Sequence, residues 1–175
     1  MRKLSVGSIS LAMWALLACA LSTLASAQSN LNRKSAADKT AIVQRYYWYE
    51  ELLASANSED VIAMQTDNFV NIGVDDSKLN REQSDAMVRI SADSVHRVHG
   101  ANVRINQLAI HGDHAIATVT QYFDTDRKDE TGAIRRVTSN IVMRHLWTRT
   151  ENGWQIQRSR TLRAEINVDG HVVRI

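Results

Sequence analysis

The runs VRINQLAIH (103–111), HAIATVTQYFD (114–124), RRVTSNIVMRHLWTR (135–149) and WQIQRSRTLR (154–163) follow one another with short polar breaks. The breaks fall at Gly112-Asp113, at residues 127–132 and at Glu151-Asn152-Gly153. Runs rich in β-branched and aromatic residues, bounded by such turn formers, read as strands. The stretch therefore predicts an antiparallel meander of four strands. Side chains alternate along a strand, so each run sorts into two files. The better core file holds Ala115, Ala117, Val119, Gln121 and Phe123 on the second strand. On the third it holds Val137, Ser139, Ile141, Met143, His145 and Trp147, and on the fourth Trp154, Ile156, Arg158, Arg160 and Leu162.

A short turn at 151–153 sets the register of the last two strands. It places Trp147 opposite Ile156, His145 opposite Arg158 and Met143 opposite Arg160. A one-residue slip would flip every side chain. On this reading the inner face is apolar at one end and carries Gln121, Ser139, His145, Arg158 and Arg160 toward its middle. Half-buried arginines need an acidic partner, since an uncompensated buried ion costs several kcal/mol. Glu50 and Glu51 can supply it, as can a ligand carboxylate, unless the arginines reach water at the strand ends. The opposite file (Ile116, Thr118, Thr120 and Tyr122; Thr138, Asn140, Val142 and Leu146) carries less charge than a solvated sheet face should. A homodimer through this outer face is expected.

The segments before the meander read as helices. Ile42, Tyr46, Tyr49 and Leu53 recur at three- and four-residue steps over 35–56, the spacing of a half-buried helix. Tyr46 and Tyr49 share its inward side, with their hydroxyls within reach of His145 or a ligand. A short helix over 59–65 is capped by Asn57 or Ser58, and Asn80 caps a third over 81–93 with Met87, Val88 and Ile90 as its apolar stripe. Between them Asn68–Val74 reads as a strand. Asp169-Gly170 turns a final small hairpin. The pattern is α+β, with N-terminal helices packed on a curved antiparallel sheet.

The first residues make a secretory signal, basic at Arg2 and Lys3, apolar through Ile9–Ala18 and ending in Ala25-Ser26-Ala27. Cleavage after Ala27 implies a periplasmic or secreted protein, with a loose tail over 28–34 and one domain over 35–175. Leu16-Leu17-Ala18-Cys19 is a weaker match to a lipoprotein box. Cleavage removes the one cysteine, and with it any disulfide or thiol chemistry. It also removes Arg2 and Lys3 from 21 basic residues, which balances the 19 acidic ones. A neutral chain offers no electrostatic case for nucleic acid or a membrane surface.

Several motifs resemble the NTF2-like superfamily, in its SnoaL-like, DUF4440-type branch related to ketosteroid isomerases. They are Met64-Gln65-Thr66-Asp67-Asn68-Phe69-Val70, Asn80-Arg81-Glu82-Gln83, Gly112-Asp113-His114-Ala115, Arg144–Arg149 and Asn152-Gly153-Trp154-Gln155-Ile156. The resemblance covers residues 36–163. It implies a cone in which the sheet wraps around the first helix and leaves a small-molecule pocket. Members include isomerases, dehydratases and binding modules, so the fold does not set the activity. The position where the isomerases carry a base aspartate falls on Gly73, with Asp75 and Asp76 just beyond it. Tyr46 or Tyr49 can stand for their oxyanion tyrosine, but the inner files lack the strand acid.

His96/His99 and His111/His114 have spacings that suit a metal, but no third ligand stands at a fixed distance, and no cofactor is expected. Ser139 with His145 has no third partner for a hydrolase. The reading that remains is an exported binding domain for a small, partly apolar or acidic molecule. Its ligand residues are Tyr46, Tyr49, Gln121, His145, Arg158 and Arg160. The alternatives are an isomerase or dehydratase using His145 as general base, and an assembly module with a filled cavity.

Overall fold

A computed structural model describes residues 33–173. The signal expected over 1–27, Cys19 within it and residues 28–32 of the tail lie outside the described residues. The chain divides into two compact units, Met1–Asp38 and Lys39–Ile175. In the first, residues 33–38 are helical. The second unit opens on a helix over residues 39–54, here α1. Ile42, Tyr46 and Leu52 are its buried positions, with Tyr49 and Leu53 half-buried.

Two capped helices follow. In α2 (Ser58–Ala63) the Asn57 side chain accepts from the Asp60 backbone N–H, and Glu59 and Asp60 occupy the first turn. In α3 (Arg81–Asp93) Asn80 and Gln83 form a capping box, each satisfying a backbone N–H the helix leaves unpaired. The apolar stripe of α3 is narrower than its sequence suggests. Met87 and Ile90 are 56% and 69% exposed, and Ser84 is the buried residue.

The strands are β1 (Gln65–Ile72), β2 (Lys78–Leu79), β3 (Val95–His111), β4 (His114–Lys128), β5 (Ile134–Thr150), β6 (Gly153–Val168) and β7 (His171–Val173). They form one sheet in the order β2-β1-β6-β5-β4-β3, with β7 on β6. The meander expected from the sequence is β3–β6, although β3 starts eight residues early, at Val95. The sheet is not antiparallel throughout, because β1 pairs with β6 in parallel. The chain leaves β1, passes through α3 and the meander, and returns beside it, a crossover long enough for a parallel pair. At the β6–β7 turn both Asp169 (φ 51°) and Gly170 (φ 85°) are left-handed, the pairing that a two-residue hairpin turn requires.

The core lies where α1 meets the sheet and includes Ile42, Tyr46, Met64, Phe69, Val119, Trp147, Trp154 and Ile156. Strands β4 and β5 pair without a slip, so Ala115, Ala117 and Val119 stand opposite Trp147, His145 and Met143 as the two files require. Strand β6 slips twice against β5. Trp147 faces Ile156 as expected, but Leu146 faces Arg158, which leaves Gln157 as an extra residue. A bulge of this kind reverses the face of everything beyond it. His145 therefore stands opposite Ser159 and Met143 opposite Thr161, not Arg158 and Arg160. A second bulge, at Leu162, reverses the phase again and returns Ala164 opposite Ile141.

Candidate functional site

A cavity of about 910 Å³ lies between the sheet and the three helices. Leu52 and Leu53 from α1, Met87 and Val88 from α3, and Phe69, Ile141 and Met143 from the sheet supply apolar walls. Its polar groups include a row across three neighbouring strands. Asn71 on β1 is the register partner of Ser159 on β6, and Ser159 is the partner of His145 on β5. All three line the cavity, and strand neighbours stand about 5 Å apart.

The His145 ring is 2% exposed, and burial pushes its pKa down to about 4. It is therefore neutral at pH 7. Its Nδ1 lies 2.8 Å from the Tyr46 hydroxyl, which also accepts a hydrogen bond from Trp147 Nε1–H at 2.9 Å. Nδ1 is the acceptor available to the buried Tyr46 proton among the described residues, which assigns the donor as Tyr46 and the ring proton to Nε2. Burial raises the Tyr46 hydroxyl far above its ordinary value, so it stays protonated. The chain Trp147 to Tyr46 to His145 thus leaves Nε2–H as the ring's remaining polar position.

Three lining residues carry buried oxygens with no hydrogen-bond partner among the described residues: Gln65 Oε1, Asn71 Oδ1 and Ser159 Oγ. Each orphaned group costs about 1–3 kcal/mol, and such groups are rare in folded proteins. Two accept and one can both donate and accept, beside a donor at His145. Tyr49 and Gln121 also line the cavity, with Gln121 Nε2 donating to the Tyr49 hydroxyl at 3.3 Å. Burial raises the Tyr49 pKa as well.

Of the six ligand residues expected from sequence, Tyr49, Gln121 and His145 line the cavity. Tyr46 stands behind His145 and touches the cavity through that ring. Arg158 and Arg160 do not enter it. The Gln157 bulge turns them to the outer face, where both are exposed and Arg160 holds Asp76 at 2.5 Å. Glu50 and Glu51 consequently do not answer Arg158 or Arg160. Glu50 instead accepts from Val103 N–H at 2.8 Å and Asn102 at 3.3 Å, tying α1 to β3. Glu51 is exposed.

Gln65, Asn71, Ser159 and the cavity-lining Arg127 were not picked out from the sequence. Gln65 lies inside the motif that carried the family resemblance, and Asn71 just past it, so the signal was present. Ser159 needed the bulge. At Gly73, aligned with the isomerases' base, a Cβ would stand 2.7 Å from Asp75 Oδ1 and Ser77 Oγ, so both side chains would have to shift to admit one. Asp75 lines the cavity, but hydrogen bonds from Ser77 hold its carboxyl below the usual range, which weakens it as a base. Of the histidine pairs, His111 and His114 face each other across the β3–β4 turn. His99 pairs with Asp126 at 2.8 Å.

No protein-family model matches the sequence, and no curated protein matches it. Solved structures do. A Kribbella flavida protein aligns with a TM-score of 0.60 at 14% identity, over 73% of this chain and 90% of its own. A Streptomyces avermitilis protein, described as a candidate dehydratase from the NTF2-like family, aligns at 0.57 and 12% identity, over 72% and 95%. An NTF2-like protein with a cystatin-like fold from Novosphingobium aromaticivorans aligns at 0.52 and 18%, over 81% and 88%. The chain therefore has the cone-shaped NTF2-like α+β fold, the one its motifs resemble. At these identities the likeness is one of fold.

Proposed function

We propose that the protein is an exported small-molecule binding domain. Its ligand is a partly apolar molecule whose neutral hydrogen-bonding group sits at Asn71, Ser159 and His145. The observation that carries this reading is the convergence of three unpartnered buried oxygens on one cavity beside a neutral histidine. A hydroxyl, ketone or amide would satisfy donors and acceptors together, and few precisely placed polar groups in an apolar cavity are the usual design of such sites.

Catalysis by His145 as general base fits less well. Its Nδ1 is occupied by Tyr46 and its pKa of about 4 is far from neutral, whereas an efficient base titrates near the working pH. The dehydratase description belongs to a structure of 12% identity and supplies no base here.

The test is a thermal-shift screen of alicyclic and aromatic alcohols, ketones and amides against the wild type, Ser159→Val and Asn71→Leu. Wild-type stabilisation that weakens about tenfold in apparent affinity in either variant supports the reading, as expected when one buried hydrogen bond is lost. A wild type that responds to none, or variants that respond equally, would overturn it. Export is tested separately, by N-terminal sequencing of protein from the culture medium or periplasm, where Gln28 is the expected first residue.

A further inference from the structure

Arg127 continues the inner file of β4 beyond Phe123 and Thr125, and it lines the same cavity. No other lysine or arginine does so among the described residues. Its partners are all neutral. Nε donates to Thr125 Oγ1 at 3.1 Å, and Nη1 to Ser91 O, Ser91 Oγ and Ser94 Oγ at 3.3, 2.9 and 3.3 Å. The guanidinium lies over the Phe123 ring, 5.5 Å from its centre. Nη2 makes no hydrogen bond among the described residues.

The carboxylates at this end of the sheet are committed elsewhere. Asp124 holds Arg136 at 2.6 Å, Asp126 holds His99 at 2.8 Å, and Asp129 holds Arg135 at 3.1 Å. Arg135, directly across from Arg127, also takes Asp169 at 3.2 Å. The carbonyl of Ser91, in the last turn of α3, offsets part of the Arg127 charge, but among the described residues no anion meets it. A partly buried cation in that position is a ready partner for one, and a planar guanidinium suits a carboxylate.

We propose that Arg127 receives a carboxylate carried by the cavity's ligand. The proposal rests on the pocket reading above and narrows it. The ligand is then bipolar: a neutral hydrogen-bonding group in the Asn71–Ser159–His145 row, an apolar body along Phe69 and Met143, and a monoanionic end at Arg127. One guanidinium balances one carboxylate, which favours a monocarboxylic acid over a phosphate dianion.

The experiment is calorimetric titration at pH 7 with hydroxy-carboxylic acids of graded chain length and with their methyl esters, probe pairs that differ in charge at one end. The wild type is expected to prefer each fitting acid over its ester by about tenfold, the scale of one charge-assisted hydrogen bond. Arg127→Gln should reduce that preference to less than about threefold, because the acids lose more affinity than the esters. Arg127→Lys, which keeps the charge, should retain part of it and guards against a loss caused by a loosened α3 end. Equal binding of acids and esters by the wild type, or a preference that survives in Arg127→Gln, overturns the Arg127 assignment and leaves the pocket reading standing. Failure of both series to bind the wild type overturns both.

Discussion

Tyr46 holds two buried partners with one hydroxyl, Trp147 and a histidine that burial keeps neutral. Tyr46→Phe removes an oxygen that accepts from Trp147 and donates to His145, leaving an N–H and a ring nitrogen buried without partners. The expected destabilisation is about 1–3 kcal/mol for each orphaned group, measured by urea unfolding. Tyr47→Phe, one residue along and 62% exposed, should change stability by less than about 0.5 kcal/mol. The histidine also gives stability a pH dependence. Its folded pKa of about 4 lies below the ordinary 6.5 because burial disfavours the cation. The unfolded chain therefore binds a proton that the folded one refuses between those values. The contribution is fully present above pH 6.5, falls as pH drops toward 4, and amounts to roughly 3 kcal/mol. Unfolding curves at pH 7 and pH 4.5 should show the fall, and His145→Gln should flatten it. A variant as acid-sensitive as the wild type would place the effect elsewhere.

Along β6, one inserted residue decides which side chains see the cavity. The alternation of β4 and β5 could be followed by eye because those strands pair residue for residue. The helices were legible for a similar reason, since Asn57 and Asn80 cap them where the pattern begins. WQIQRSRTLR, by contrast, loses its apolar alternation after Ile156, and the polar run that follows does not mark Gln157 as the residue to skip. Bulges answer to the curvature of the whole sheet, which a single strand's sequence does not contain. Trp154 and Ile156, before the bulge, were therefore placed correctly, while Arg158 and Arg160, after it, were assigned to the wrong face. Two substitutions separate the faces. Ile156→Ala should cost about 2–5 kcal/mol as a core truncation, and Arg158→Ala less than about 0.5 kcal/mol as an exposed one. Deleting Gln157 forces either Trp154 and Ile156 or Ser159 and Thr161 out of phase. Its unfolding midpoint in urea should fall further than that of Ile156→Ala. A deletion as stable as the wild type would mean that the bulge is not fixed at this site.

At the scale of the molecule the same bulge changes what the outer face can do. By turning outward, Arg158 and Arg160 join Arg144, and Arg144 stands directly opposite Arg160. Like charges in that position repel. A two-fold contact centred on β5 and β6 would bring a second set of arginines against the first, because an isologous interface meets itself. The neighbouring strand is different. Ile116 and Tyr122 on β4 are 44% and 43% exposed, with Thr118 and Thr120 between them. We propose that the homodimer expected from the sequence forms around β4, with the arginines at its rim. A contact of ordinary size would bury about 800 Å² on each partner. Tyr122→Glu should then give a monomer in sedimentation equilibrium, while Arg144→Ser should tighten the dimer. Added salt should tighten it as well, because screening relieves repulsion between rim cations. A wild type that sediments as a monomer at every concentration would remove the interface, and a dimer that salt weakens would move it onto charged pairs away from β4.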